Sequence, residues 1–159
     1  AQIASLAAAA VAAGNIPSKY NGTLIWPMGG EISQPFGCTG FIAEPPWVGS
    51  PYGYCAHFHQ GIDIVAPCMT PIYAADKGDV IWAGYMPAPD GAWDIEIAHA
   101  GDLITLYGHM APEWIVHAGD KVQQGQLIGH ESTTGNSTGC HLHWAVYQNG
   151  IPVDPRLFT

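Results

Sequence analysis

The sequence predicts a mainly β domain preceded by a short Ala-rich helix. Three observations carry that expectation. Short runs rich in β-branched and aromatic residues recur from Thr23 to Tyr147, separated by Gly, Pro, Asn and Asp. Two of these runs, "DIEIAHA" and "HLHWAVY", alternate apolar and polar residues, the pattern of a strand buried on one face. After Gly14, no helix-period pattern of useful length follows.

Taken in order, "AQIASLAAAAVAAG" is dominated by alanine, the strongest helix former, and ends at Gly14 and Pro17, which punctuate a helix C-terminus. It has no basic flank, and its apolar run is shorter than the ~20 residues of a membrane helix. It is read as the cut end of a larger protein or a mature terminus after processing, not as a membrane span. Residues 1–22 are thus an expected helical appendage and residues 23–159 an expected single domain. Strands are predicted in "TLIWPM", "GIDIVAP", "PIYAA", "DVIWAGYM", "WDIEIAHA", "LITLYGHM", "QLIGHE" and "HLHWAVY". Residues 38–54, rich in Gly, Pro and aromatics, read as one long functional loop.

Charge narrows the partners. Four Lys plus Arg stand against 13 Asp plus Glu, a formal charge of −9, and Lys19, Lys77, Lys121 and Arg156 are scattered. Such a chain repels phosphate backbones, so nucleic acid is excluded as an expected partner. The cysteines at 38, 55, 68 and 140 form no CxxC pair, which argues against a zinc ribbon or a dithiol redox site and for two disulfides in an oxidising compartment.

The chemistry lies in the histidines, of which there are eight. His141 and His143 are two apart on a predicted strand, so both rings project from one face, about 7 Å apart. His59 stands four residues before Asp63, a separation of about 13 Å in a straight strand, and Gly61 between them permits a bend that lets both reach one ion. Each pattern alone also fits an ordinary polar strand. Together, imidazoles and a carboxylate suit zinc, and three protein ligands with an open fourth position make a catalytic rather than a structural site.

The order "HFHQGIDIVAPCMTPIYAADKGDV", "IEIAHAGDLITLYGHM" and "VHAGDKVQQGQLIGHESTTGNSTGCHLHW" resembles the zinc metallopeptidases of the lysostaphin and LytM type, which cleave peptidoglycan peptides. The resemblance runs from about Gly29 to Trp144 and includes the spacers as well as the ligand positions. It implies a compact antiparallel β-sheet with a groove bordered by loops, here near residues 38–58, 84–94, 110–118 and 130–140. It further implies one Zn²⁺ bound by His59, Asp63 and His143, with His109 and His141 doing the acid and base work. No HExxH glutamate occurs, so a thermolysin-like arrangement is excluded and the second histidine pair must fill that role.

Once the resemblance places the ligands, Cys68 and Cys140 fall close to them, and Cys68–Cys140 with Cys38–Cys55 becomes the favoured of three connectivities. Four free thiols, or ligation by Cys140, are the rival readings. His57 lines the groove or sits at its rim, with the rim favoured. His99, His117 and His130 are expected in structural roles. Trp47, Trp93 and Trp114 are placed in loops, as ligand-stacking or packing residues, and Tyr107 and Trp144 in the core or just behind the site, the latter needing a partner for its indole N–H.

The expected function is zinc-dependent endopeptidase cleavage of peptidoglycan stem peptides or cross-bridges, outside the cell or on a phage virion. A larger parent protein or virion component would supply targeting, because an acidic chain gains little attraction to an anionic wall. The alternatives are a non-catalytic wall-binding or hydrolase-activating protein of the same fold, and a structural protein with a closed four-ligand site.

Overall fold

The computed structural model describes residues 20–159. The expected Ala-rich helix lies outside the described residues. The first half of the domain carries β1 (Glu31–Gln34), β2 (Gly37–Cys38), β3 (Phe58–His59), β4 (Ile62–Val65), β5 (Pro71–Tyr73) and β6 (Gly78–Tyr85). The second half carries β7 (Trp93–His99), β8 (Leu103–Gly108), β9 (Lys121–Val122), β10 (Leu127–His130), β11 (Leu142–Gln148) and β12 (Ile151–Val153).

The main sheet has the order β1-β4-β11-β8-β7-β6-β9, with β12 also paired to β11, and every pairing is antiparallel. Two-stranded pairs β10-β5 and β2-β3 complete it. The expected mainly β, antiparallel architecture is therefore the observed one. Its main core lies on one face, where Ile62, Ile64, Ile95, Ile97, Tyr107 and Trp144 interdigitate. Burying such side chains contributes roughly 1.5–3 kcal/mol each before the entropy of ordering them is subtracted.

Three strand expectations need correction. "TLIWPM" joins no ladder: Leu24 donates to the Phe158 carbonyl (2.8 Å) and Ile25 to that of Ala75 (2.9 Å), and Pro27 has no N–H to continue. β1, reading EISQ, was not anticipated, because an exposed edge strand carries no apolar signature. β7 and the middle of β11 are buried on both faces rather than one. Ile104, Leu106 and Ala145, with Ile81, Ala98 and Tyr147 beside them, form a second apolar cluster apart from the main core. Alternation in "DIEIAHA" reported two different faces, not a dry one and a wet one.

The two ends of the described residues meet. Tyr20 is buried against His99 (ring centroids 6.5 Å) and Phe158 (6.1 Å), and its hydroxyl donates to Asp76. Both disulfides have the favoured connectivity: Cys38–Cys55 (Cα–Cα 5.9 Å) and Cys68–Cys140 (5.3 Å).

Candidate active site

Strand register assembles the first group. β11 pairs with β4 so that His143 lies directly opposite Asp63, while β3 delivers His59 just ahead of β4. His143 Nδ1 stands 3.0 Å from Asp63 Oδ1 and 3.2 Å from His59 Nε2, and His59 Nε2 is 3.2 Å from Asp63 Oδ1. Gly61 makes the approach feasible. A Cβ there would lie 2.7 Å from the Trp144 carbonyl oxygen and 2.8 Å from the His143 ring. The chain leaves β3 at His59 and enters β4 of another sheet at Ile62, so the straight-strand separation of His59 and Asp63 does not apply.

These three residues are the group of His, Cys, Asp and Glu among the described residues that can hold a metal ion. Donors about 2.0 Å from a tetrahedral ion are separated by about 3.3 Å, close to the spacings here, and two imidazoles with a carboxylate are zinc-type donors. The residues present fit the metal. His59 Nδ1 donates to the Pro35 carbonyl (3.0 Å), which fixes the ring and leaves Nε2 for the ion. Burial alone would raise the Asp63 pKa, but the imidazoles of His143 and His59 hold it well below the usual carboxylate range.

The second group faces the first across the groove. His109 and His141 rings lie 4.6 Å apart, and His141 Nε2 is 3.8 Å from Asp63 Oδ1. His109 Nδ1 donates to the Thr134 carbonyl (2.7 Å) and His141 Nδ1 to that of Gly139 (3.0 Å). Each neutral ring therefore keeps a lone pair at Nε2. His109 adopts φ +61°, a left-handed turn out of β8 that a non-glycine residue takes only when its surroundings demand it. Burial lowers the His109 pKa, against the opposing hydrogen bond to Thr134.

All five expected residues are thus brought together at an open groove of about 720 Å³, which Asp63, His109, His141 and His143 line directly. Its borders come from residues 41–45, 90–94 and 136–141, as expected for three of the four loops. The 110–118 loop does not border it. Trp114 instead packs on Trp93 (4.7 Å) and stacks on His117 (5.2 Å). Trp93 is not in a loop but begins β7, with 4% of its surface exposed. Trp47 packs on Phe58 and Tyr52, so it supports a loop. Tyr107 and Trp144 are fully buried, as expected, but the Trp144 indole N–H finds no partner among the described residues.

The other histidines resolve into supports. His57 lies outside the groove and donates from Nδ1 to the Glu44 carbonyl (2.6 Å). His99 bridges the Lys77 carbonyl and Thr105, and His130 meets Glu113 at 2.8 Å. Two groove carboxylates escaped the sequence reading. Asp94, whose Oδ1 accepts from the His109 N–H (3.4 Å), is pushed up to about 7 by burial and then by Asp90. Glu44 Oε1 lies 3.9 Å from His59 Nε2. Asp94 was hidden in a strand whose polar positions were assigned to solvent, and Glu44 in a loop without periodicity.

The chain is similar to proteins already known. The chain is 36% identical over 136 residues to the DD-carboxypeptidase/endopeptidase Mpg of Neisseria meningitidis, covering 79% of this chain and 30% of that protein. It is 42% identical over 98 residues to the peptidoglycan DD-endopeptidase ShyC of Vibrio cholerae, covering 62% of this chain and 22% of that one. The chain therefore spans less than a third of the length of either relative. Among solved structures, a zinc-containing peptidase from Vibrio cholerae matches with TM-score 0.67 and 26% identity over 85% of this chain and 39% of that one. The catalytic domain of lysostaphin from Staphylococcus simulans matches with TM-score 0.63 and 26% identity over 80% and 90%. The Peptidase family M23 pattern matches residues 57–155, from two residues before His59 to beyond the last strand, and to that family this chain belongs.

Proposed function

We propose that the chain is a zinc endopeptidase that hydrolyses amide bonds in peptidoglycan stem peptides or cross-bridges. The observation that carries this is the pairing of two sets: His59, Asp63 and His143 with donor atoms 3.0–3.2 Å apart, and His109 and His141 with free Nε2 atoms facing the same groove. A family of peptidases and the peptidoglycan relative named above support the substrate class.

His59, Asp63 and His143 hold the ion, which when bound polarises a carbonyl and lowers the pKa of water. His141, steadied by Gly139, is the base that takes a proton from the attacking water. The water oxygen bonds to the scissile carbonyl carbon, the C–N bond breaks, and the leaving nitrogen receives a proton. His109 serves that last step. Its Nε2 donates only after the ring has gained a proton, here the one that His141 took from the water and passes on across the 4.6 Å between the rings, and the burial that depresses its pKa makes the imidazolium a ready acid. The same cation would stabilise the oxyanion of the tetrahedral intermediate. Two disulfides suit work on the wall outside the cytoplasm.

The test is digestion of two purified peptidoglycans, one with Gly cross-bridges and one directly cross-linked, read by mass spectrometry. New amine termini that vanish with a chelator and return with zinc are expected, and the product masses name the bond. Intact peptides from both walls would instead favour a wall-binding or hydrolase-activating protein.

A further inference from the structure

We infer that Asp94 receives an ammonium group of the substrate, the free amine of a diamino acid in the stem peptide, an inference that rests on the peptidase reading of the groove. Asp94 belongs to the row of residues that crosses the floor of the sheet at the site. Gly84 lies opposite it on β6, and beyond Gly108 on β8 the row continues through His143 to Asp63. Neighbouring strands are about 4.8 Å apart, so the backbone of Asp94 sits roughly 10 Å from that of His143. Gly108 keeps the floor between them bare. A Cβ there would lie 3.2 Å from Asp94 Oδ1 and 3.5 Å from His143 Cβ.

Asp94 is buried without being satisfied. Only 4% of its surface is exposed, and that remainder lines the groove. Its Oδ1 accepts one long hydrogen bond, from the His109 N–H (3.4 Å), while Oδ2 has no hydrogen-bond partner among the described residues. Nor is Oδ2 sealed from solvent, as both carboxylate oxygens of Glu96 are. A carboxylate taken out of water without a partner is costly, and a ligand that brings a cation removes the cost. The burial and the like charge of Asp90 that push Asp94 up are both countered by such a ligand.

The groove as a whole selects for that sign of charge. Glu44, Asp63, Asp90 and Asp94 border it, and among the described residues no lysine or arginine does. A stem peptide carries carboxylates and one class of cation, the amine of its diamino acid. In a directly cross-linked wall the donor stem keeps that amine free, on the residue before the alanine whose carbonyl is cut. A stem that bears a Gly bridge has it tied up in an amide. An extended chain rises about 3.3 Å per residue, so the preceding residue, with its long side chain, spans the distance from His143 to Asp94. The groove is thus fitted to the direct cross-link.

The experiment uses two cross-linked muropeptide dimers that differ only in N-acetylation of the free amine. The zinc-loaded, unaltered protein should cleave the free-amine dimer with a KM lower by about tenfold or more, the scale of a hydrogen bond between charged groups. Asp94→Asn keeps an oxygen for the His109 N–H and removes the charge, so metal content should stay while the preference vanishes. Asp90→Asn should narrow the preference by less. A preference that survives Asp94→Asn, or an unaltered protein that treats both dimers alike, would overturn the assignment. Titration calorimetry of the same dimers against the metal-free protein reads binding without cleavage. Affinity for the free-amine dimer should fall about tenfold in Asp94→Asn, and equal affinities would overturn the assignment whether or not the dimers are cut. Binding that depends on Asp94 without cleavage of either dimer would remove the peptidase reading and leave the ammonium site standing.

Discussion

The two sides of the groove hold their functional groups by different means. On one side, Asp63 and His143 face each other across the β4–β11 ladder, where a slip of one residue would turn both side chains to the opposite face. On the other, Glu44, His109 and His141 leave loops or strand ends and are aimed by one or two hydrogen bonds each. Regular pairing holds Asp63 and His143 opposite each other, as the proposed metal site needs. Loops closed by disulfides carry the rest, held by contacts that join segments distant in sequence.

Breaking the rigid side should have the largest effect. Asp63→Ala or His143→Ala should lose both the metal, read by metal analysis of the purified protein, and wall hydrolysis. His141→Ala separates the sides: metal content should stay, while hydrolysis falls by roughly 10²–10⁴-fold, the usual contribution of a positioned base. Normal hydrolysis by His141→Ala would remove that residue from the mechanism.

Smaller changes sharpen the contrast by loosening one loop at a time. Replacing Cys68 and Cys140 by Ser opens the longer ring, 72 residues in separation, and should cost about 4 kcal/mol in urea melts. The same change at Cys38 and Cys55, 17 apart, should cost about 3 kcal/mol and move Glu44 and His59 together. Equal loss of metal affinity from both pairs would argue that the loops are not independent.

A pH effect distinguishes the floor of the sheet from its loops. Glu96, 1% exposed with both carboxylate oxygens unpartnered, is pushed up to about 7 by burial and then by Asp94. The folded state holds this proton more tightly than the unfolded chain. Its contribution to stability is complete below pH ~4.3 and is lost as pH rises through about 7. Glu96→Gln should remove that slope and stabilise the protein above pH 7 by about 1–3 kcal/mol, as seen in denaturant melts at stepped pH.

Legibility followed the physics. The meeting of His59, Asp63, His109, His141 and His143 at one groove was readable because the strand spacing, Gly61 and the spacers are local patterns that also carry the family resemblance. Seven of the eight expected runs became strands for the same reason. Leu24, Ile25 and Trp26 misled because apolar residues that cover a core edge look like strand residues. Glu44 and Asp94 were invisible because their placement depends on contacts between segments distant in sequence: a disulfide-closed loop in one case, a doubly covered sheet in the other.

The meeting of Tyr20 with Phe158 has a topological consequence. Both lie at the His99 end of β7, whereas the donors gather at its Trp93 end, about 20 Å away along the strand. The first and last described residues therefore lie together at a point remote from the groove. A circular permutant, with Thr159 joined to Tyr20 by a short linker and new ends cut between Met86 and Gly91, should therefore fold and keep its metal donors.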